Sequence, residues 1–273
     1  PISTHTVKWV SYFARDSRYE VHLMGWSAPT DPALSRVIYH HLPDELREPF
    51  VAPVRGALWH GRLWFWAQRR QYQVLLDRIR PDIFDILMIN AGEIPAALAR
   101  RGPLVVTPWG SDLLEYPPAY TPLTRRLLAA TMRRADLVLC NSAALADAAV
   151  SLGTPEKRIR RVGQIVDLSR FHPGLDRQSA RAQVDLTGTP VLLSPRSILP
   201  LYRIETAIEA LAHVRKEFPS AVLVQLGDGA LDADYSGRLQ SLIARLKLED
   251  AVIFTGRQPY DRMPHFFAAS DVV

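Results

Sequence analysis

PLVVTPWGSDLL, residues 103–114, is a strand that ends in unusual company. Leu104 to Thr107 form a β-branched run too short for a helix and of the kind buried inside a parallel sheet. Pro108 stops it, and Trp109, Gly110, Ser111 and Asp112 turn the chain into an apolar segment that predicts a helix from Leu113. Ser111 or Asp112 can cap that helix, but a cap accounts for neither Trp109 nor Gly110. Open α/β sheets bind ligands at the carboxyl ends of their strands, so this turn is a candidate ligand loop.

The same alternation runs outward from it in both directions. Strands are expected at 20–24, 36–40, 83–89, 103–107 and 136–140, with helices at 5–15, 56–80, 93–101, 122–134 and 142–152. A break follows at 169–190, rich in Pro, Gly and Asp and weak in periodicity. Alternation then resumes with strands at 191–194, 221–226 and 252–254, helices at 203–217, 236–247 and 260–269, and the start of another strand at 271–273. The fold class is therefore α/β, with two doubly wound parallel-sheet domains, 1–172 and 173–273, the second incomplete.

Composition bounds the rest. The 273 residues are 48% hydrophobic, enough for a real core. One cysteine, Cys140, permits no intrachain disulfide and no cysteine metal site, which favours a reducing compartment. The net charge is +5, and of 33 basic residues only Lys8, Lys157, Lys216 and Lys247 are lysines, leaving 29 arginines, whose planar forks suit phosphate and carboxylate partners. No run of 18 apolar residues and no recognisable signal peptide is present, so a cytoplasmic location is expected. The start at Pro1 and the end at Ser270-Asp271-Val272-Val273 read as truncations, and the expectation is an inactive fragment.

The second domain adds strand-end chemistry of its own. Arg196 follows the strand VLLS, the next strand ends in Gly227 to Gly229, and the one after ends in Gly256, Arg257 and Gln258. Each has an ordinary reading as a tight turn or a surface charge. Residues 56–80 interleave Trp59, Trp64, Phe65, Trp66 and Tyr72 with Arg62, Arg69, Arg70, Arg78 and Arg80, the make-up either of an interfacial helix touching the inner face of a membrane or of a buried helix with solvated arginines. The second reading is preferred, because the apolar positions form no clean face.

In order and spacing the chain resembles the retaining nucleotide-sugar glycosyltransferases of family 4, with their two-domain GT-B fold. The resemblance rests on PDI (81–83), VVTPWGSDLL (105–114), ADLVLCNSAAL (135–145), VDLSRFHP (166–173), the Arg196 segment, LGDG (226–229) and DAVIFTGRQPYDRMPHFFAASDV (250–272). It implies sugar transfer from a nucleotide donor to a hydroxyl of a glycan or lipid-linked acceptor, with no metal and no cofactor, in polysaccharide biosynthesis. It also implies a donor set of Arg196, Tyr202, Arg203, Gly227, Gly229, Arg257 and Gln258, and an acceptor-side loop of Trp109, Gly110, Ser111 and Asp112 across a cleft. Arg196, Arg203 and Asp112 are the candidate catalytic groups.

Several positions depart from the family pattern. Tyr202, followed by Arg203, stands where a lysine is usual, and Trp109 stands where a histidine is frequent. Gln164, Ile165, Val166 and Asp167 replace Asn-Gly-Val-Asp, and the family's donor-site glutamate would fall beyond Val273. The alternative is a basic α/β protein binding nucleic acid or nucleotide without transferase activity. Dispersed arginines and the lack of a nucleic-acid motif weigh against it. A dinucleotide oxidoreductase is disfavoured because no strand is followed by Gly-x-Gly-x-x-Gly.

Overall fold

The computed structural model describes residues 3–42, 58–100, 102–115, 117, 120–163, 166–227, 229 and 232–273, with the side chains of residue 4 and of 58–64 left out. The chain divides into two compact units, Pro1–Ile165 and Val166–Val273.

In the first unit, β3 (Phe84–Leu87), β4 (Leu104–Thr107), β5 (Leu137–Cys140) and β6 (Ile159–Arg161) form a parallel sheet in that order. Phe84, Ile86, Leu104, Val106, Val138 and Cys140 alternate inward along these strands into one core. A separate parallel pair, β1 (His22–Gly25) and β2 (Ile38–His41), contributes Met24 to the edge of that core. The connecting helices are capped as their sequences direct. Thr121 accepts from the Thr124 N–H at the start of α5 (Pro122–Arg134), and Ser142 from the Leu145 N–H at the start of α6 (Ala143–Ser151).

The helix rich in Trp and Arg, α2 (Leu58–Ile79), does have a clean face: Gln68, Tyr72 and Leu76 are buried, with Phe65 packed beside them. Trp66, Arg70 and Val74 lie on the outer face, and the Arg69 guanidinium sits 5.3 Å from the Trp66 ring centre. Burial of one face with arginines outside is the arrangement of an ordinary amphipathic helix. No helix among the described residues is long and apolar enough to cross a membrane.

In the second unit, β7 (Val191–Ser194), β8 (Val222–Gln225) and β9 (Val252–Phe254) are parallel and adjacent in that order. On the other side of β7, Val272 pairs with Leu192 and its carbonyl accepts from the Leu193 N–H. The sheet therefore grows from β7 toward β9 and then reverses to the opposite edge of β7. Such a reversal is a topological switch point. Successive residues serve opposite faces: Leu223 joins Ile204, Ile208 and Leu239 from α8 (Ile204–Val214) and α9 (Ala233–Leu246), while Val224 joins Ala180 and Phe266 from α7 (Arg177–Gln183) and α10 (Met263–Ala269).

Several expectations from sequence change, the face of α2 among them. β6 and α7 went unrecognised, and the helix after Gly110, α4 (Ser111–Leu114), starts two residues earlier than Leu113.

Candidate functional site

In the first unit the loop after β4 is organised around a buried carboxylate. Asp112 is fully buried, and its Oδ1 accepts from the N–H groups of Gly110 at 2.8 Å and Trp109 at 3.0 Å. Its Oδ2 accepts from the Ile89 N–H at 3.0 Å, tying the ends of β3 and β4 together. Neither Ser111 nor Asp112 caps α4. Gly110 is the capping residue, with φ 144° and ψ −79°, a conformation side-chain-bearing residues rarely adopt. Burial raises the Asp112 carboxyl above its ordinary pKa, against the pull of the N–H donors. Nearby Glu93 is pushed up to about 7, chiefly by burial and also by the Asp112 charge, while the Asn90 N–H pulls the other way.

Beside this turn, a small cavity of about 40 Å³ opens at the carboxyl ends of β4, β5 and β6. Trp109, Thr107, Asn141 and Gly163 line it, and α1 (Thr4–Ala14) closes it with His5, Lys8 and Trp9. The His5 and Trp109 ring centres are 5.2 Å apart. Asp85, on β3, fixes the lining from behind: it accepts from Trp9 Nε1 and from Thr107 Oγ1, both at 2.9 Å. Sequence reasoning missed Asp85. Its signal was a carboxylate inside the apolar run Phe84 to Leu87.

In the second unit, Arg196 lies just past the carboxyl end of β7, at the switch point, and is exposed. Its guanidinium sits 4.7 Å from the Tyr202 ring centre, close enough for a cation–π contact. Tyr202 thus supports the arginine. Gly227, after β8, has φ 83°, and a Cβ there would lie 2.8 Å from both the Arg196 carbonyl oxygen and Ser197 Cα. Both contacts are with backbone, so glycine is required by space as well as by angle. The Gly227 N–H donates to the Gly256 carbonyl at 2.9 Å, joining the turns after β8 and β9.

The remaining predicted residues lie in the segments that follow β7, β8 and β9. At Gly229 a Cβ would collide with Ser236 Oγ at 2.1 Å. Gln258 donates from Nε2 to the Thr255 carbonyl and accepts from Arg262, so it holds its own loop. Arg257 is exposed. Arg203 adopts a left-handed conformation with its side chain in solvent, 3.9 Å from Glu205. It does not cap α8. The Tyr235 hydroxyl of α9 meets the first turn instead, accepting from the Ile204 N–H at 2.9 Å and donating to Glu205. That hydroxyl holds the Glu205 carboxyl below its ordinary pKa. Asp228, Gln164 and Ile165, together with the side chains of Trp59, Arg62 and Trp64, lie outside the described residues.

Residues 2–170 match the family model described as Glycosyltransferase Family 4, which is more than half of the chain. The chain belongs to glycosyltransferase family 4. Residues 176–273 of this family-4 chain match a second model, Glycosyl transferases group 1. No curated protein matches the chain. Among solved structures, Anabaena Alr3699/HepE in complex with UDP-glucose is 20% identical, with a TM-score of 0.72 over 100% of this chain and 70% of that one. A glycosyltransferase from Rickettsia africae is 13% identical, with a TM-score of 0.69 over 98% of this chain and 67% of that one. Sucrose-phosphate synthase from Thermosynechococcus elongatus is 14% identical, with a TM-score of 0.67 over 97% of this chain and 66% of that one. These likenesses show the fold, GT-B with two Rossmann-like domains, and the family-4 chain is a glycosyltransferase.

Proposed function

We propose that this glycosyltransferase is a retaining, metal-independent hexosyltransferase. It takes its sugar from a nucleotide diphosphate donor and delivers it to a hydroxyl of a glycan or lipid-linked acceptor. The observation that carries the donor assignment is Arg196, an exposed guanidinium stacked on Tyr202 at the switch point of the second sheet. UDP-glucose in the related Anabaena structure makes a uridine nucleotide the first donor to test.

Breaking the bond between the anomeric carbon and the diphosphate builds positive charge on the sugar and negative charge on the departing diphosphate. A fixed guanidinium aimed at that diphosphate binds the transition state more strongly than the ground state. Charge-assisted, bidentate contact by Arg196 meets that demand without a metal. Gly227, Gly229, Arg257 and Gln258 form the surrounding donor loops. Arg203 is a second cation within the same segment. Trp109, Gly110 and Ser111 serve the acceptor, with the Trp109 indole facing a sugar. Asp112 is a positioning residue that holds this loop in shape.

The test is a transfer assay with nucleotide sugars on the full-length protein. Arg196→Ala should lower the rate by on the order of 100-fold or more, the usual loss for one preorganised electrostatic contact. Arg203→Ala should cost less. An Arg196→Ala rate equal to wild type removes the diphosphate assignment.

A further inference from the structure

Gln225 is an amide inside an apolar strand. It ends β8, is completely buried, and is flanked by Val224 and Leu226 in the core. Its Nε2 donates to the Arg196 carbonyl at 2.7 Å and to its neighbour's Leu226 carbonyl at 2.5 Å. Its Oε1 is buried with no hydrogen-bond partner among the described residues. Two carbonyls in front of Nε2 fix which end of the amide is the donor.

The same residue gathers all three strand-end turns. The Gln225 carbonyl accepts from the Thr255 N–H at 3.1 Å, in the turn after β9. Its side chain reaches the backbone of Arg196, in the turn after β7. The Leu226 N–H donates to the Ser194 carbonyl at 2.9 Å, in register with that reach. A valine or leucine would bury as well, without leaving an acceptor oxygen unpaired at the cost such a group carries. The arrangement makes sense if the donor end of the amide is what matters.

We infer that Gln225 is a positioning residue for donor binding: its amide fixes the backbone of Arg196, and so aims the guanidinium at the donor diphosphate. The inference rests on the reading of Arg196 as the diphosphate contact. Tyr202 supports the guanidinium and Gln225 supports the main chain, so the arginine is held at both ends.

A double-mutant cycle separates positioning from simple core packing. UDP is titrated into the full-length protein as wild type, Gln225→Met, Arg196→Ala and the double variant. Methionine keeps the volume and loses the donor. Gln225→Met should weaken UDP binding by roughly tenfold in the wild-type background, the scale of one lost preorganising hydrogen bond, and by less than twofold once Arg196 is alanine. Equal losses in both backgrounds, or none from Gln225→Met, overturn the positioning role. If Arg196→Ala itself leaves UDP binding unchanged, the diphosphate reading fails instead. A measurement on the unmutated protein stands beside the cycle: the Gln225 side-chain amide protons should exchange slowly and shift in NMR when UDP is added. Fast exchange, or no shift at saturating UDP, overturns the inference even where the variants do not fold.

Discussion

Asp112→Ala tests whether the loop after β4 is held from inside. The substitution removes the acceptor for three backbone N–H groups, those of Ile89, Trp109 and Gly110. Ile89 is completely buried, so water does not readily replace its partner, and an unpaired buried N–H costs about 1–3 kcal/mol. Trp109 and Gly110 are only half-buried and can rehydrate, which limits their share to about 1 kcal/mol each. Relief of a desolvated charge works the other way, since burial raises this carboxyl's pKa. The net loss expected is about 2–3 kcal/mol, or roughly 5–10 °C in the unfolding transition of a unit this size. Asp112→Asn should recover only part of it, because its NH2 must face a backbone N–H in either orientation. Urea and thermal unfolding of the full-length protein read both variants. An Asp112→Ala protein within about 0.5 kcal/mol of wild type would refute the structural role and return the carboxylate to the ligand.

Other expectations follow from the same contacts. Because Glu93 is raised to about 7, its neutral form is favoured in the folded state; that stability is present at acid pH and lost as pH rises through 7. Glu93→Gln should therefore flatten the pH dependence of unfolding and stabilise at pH 8 by up to roughly 3 kcal/mol, and an unchanged pH profile would contradict it. Gly227→Ala forces a Cβ against the Arg196 and Ser197 backbone at a positive φ, so it should destabilise the second unit by about 2–4 kcal/mol and weaken UDP binding, as read by unfolding and titration.

The strands were legible where the sequence has β-branched runs, and both units follow from their alternation with helices. β6 was not, because Ile159, Arg160 and Arg161 form an edge strand with little apolar content to reveal it. α7 hid in the polar stretch 169–190, where only Ala180 of the helix is buried and the visible cue was the Asp176 cap accepting from Ser179. Sequence left Asp112 open between fixing the turn and meeting a ligand. In the structure three N–H groups converge on its carboxylate, and that convergence depends on how β3 and β4 end side by side. Tyr202 looked like a missing cation, yet its ring lies against Arg196, a contact that spacing alone cannot reveal. Gln225 and Asp85 were visible as polar residues in apolar strands. What they reach across the fold was not, because Arg196 is 29 residues from Gln225 along the chain, and Thr107 and Trp9 are 22 and 76 residues from Asp85.

Contact between the Arg196 guanidinium and the donor diphosphate is read most directly by phosphorus NMR of UDP bound to the full-length protein. Both phosphorus resonances should shift on binding to the wild type, and at saturating UDP the shift of the β-phosphate should be largely lost in Arg196→Ala. The same bound β-phosphate shift in both proteins would contradict the assignment of Arg196 to the donor.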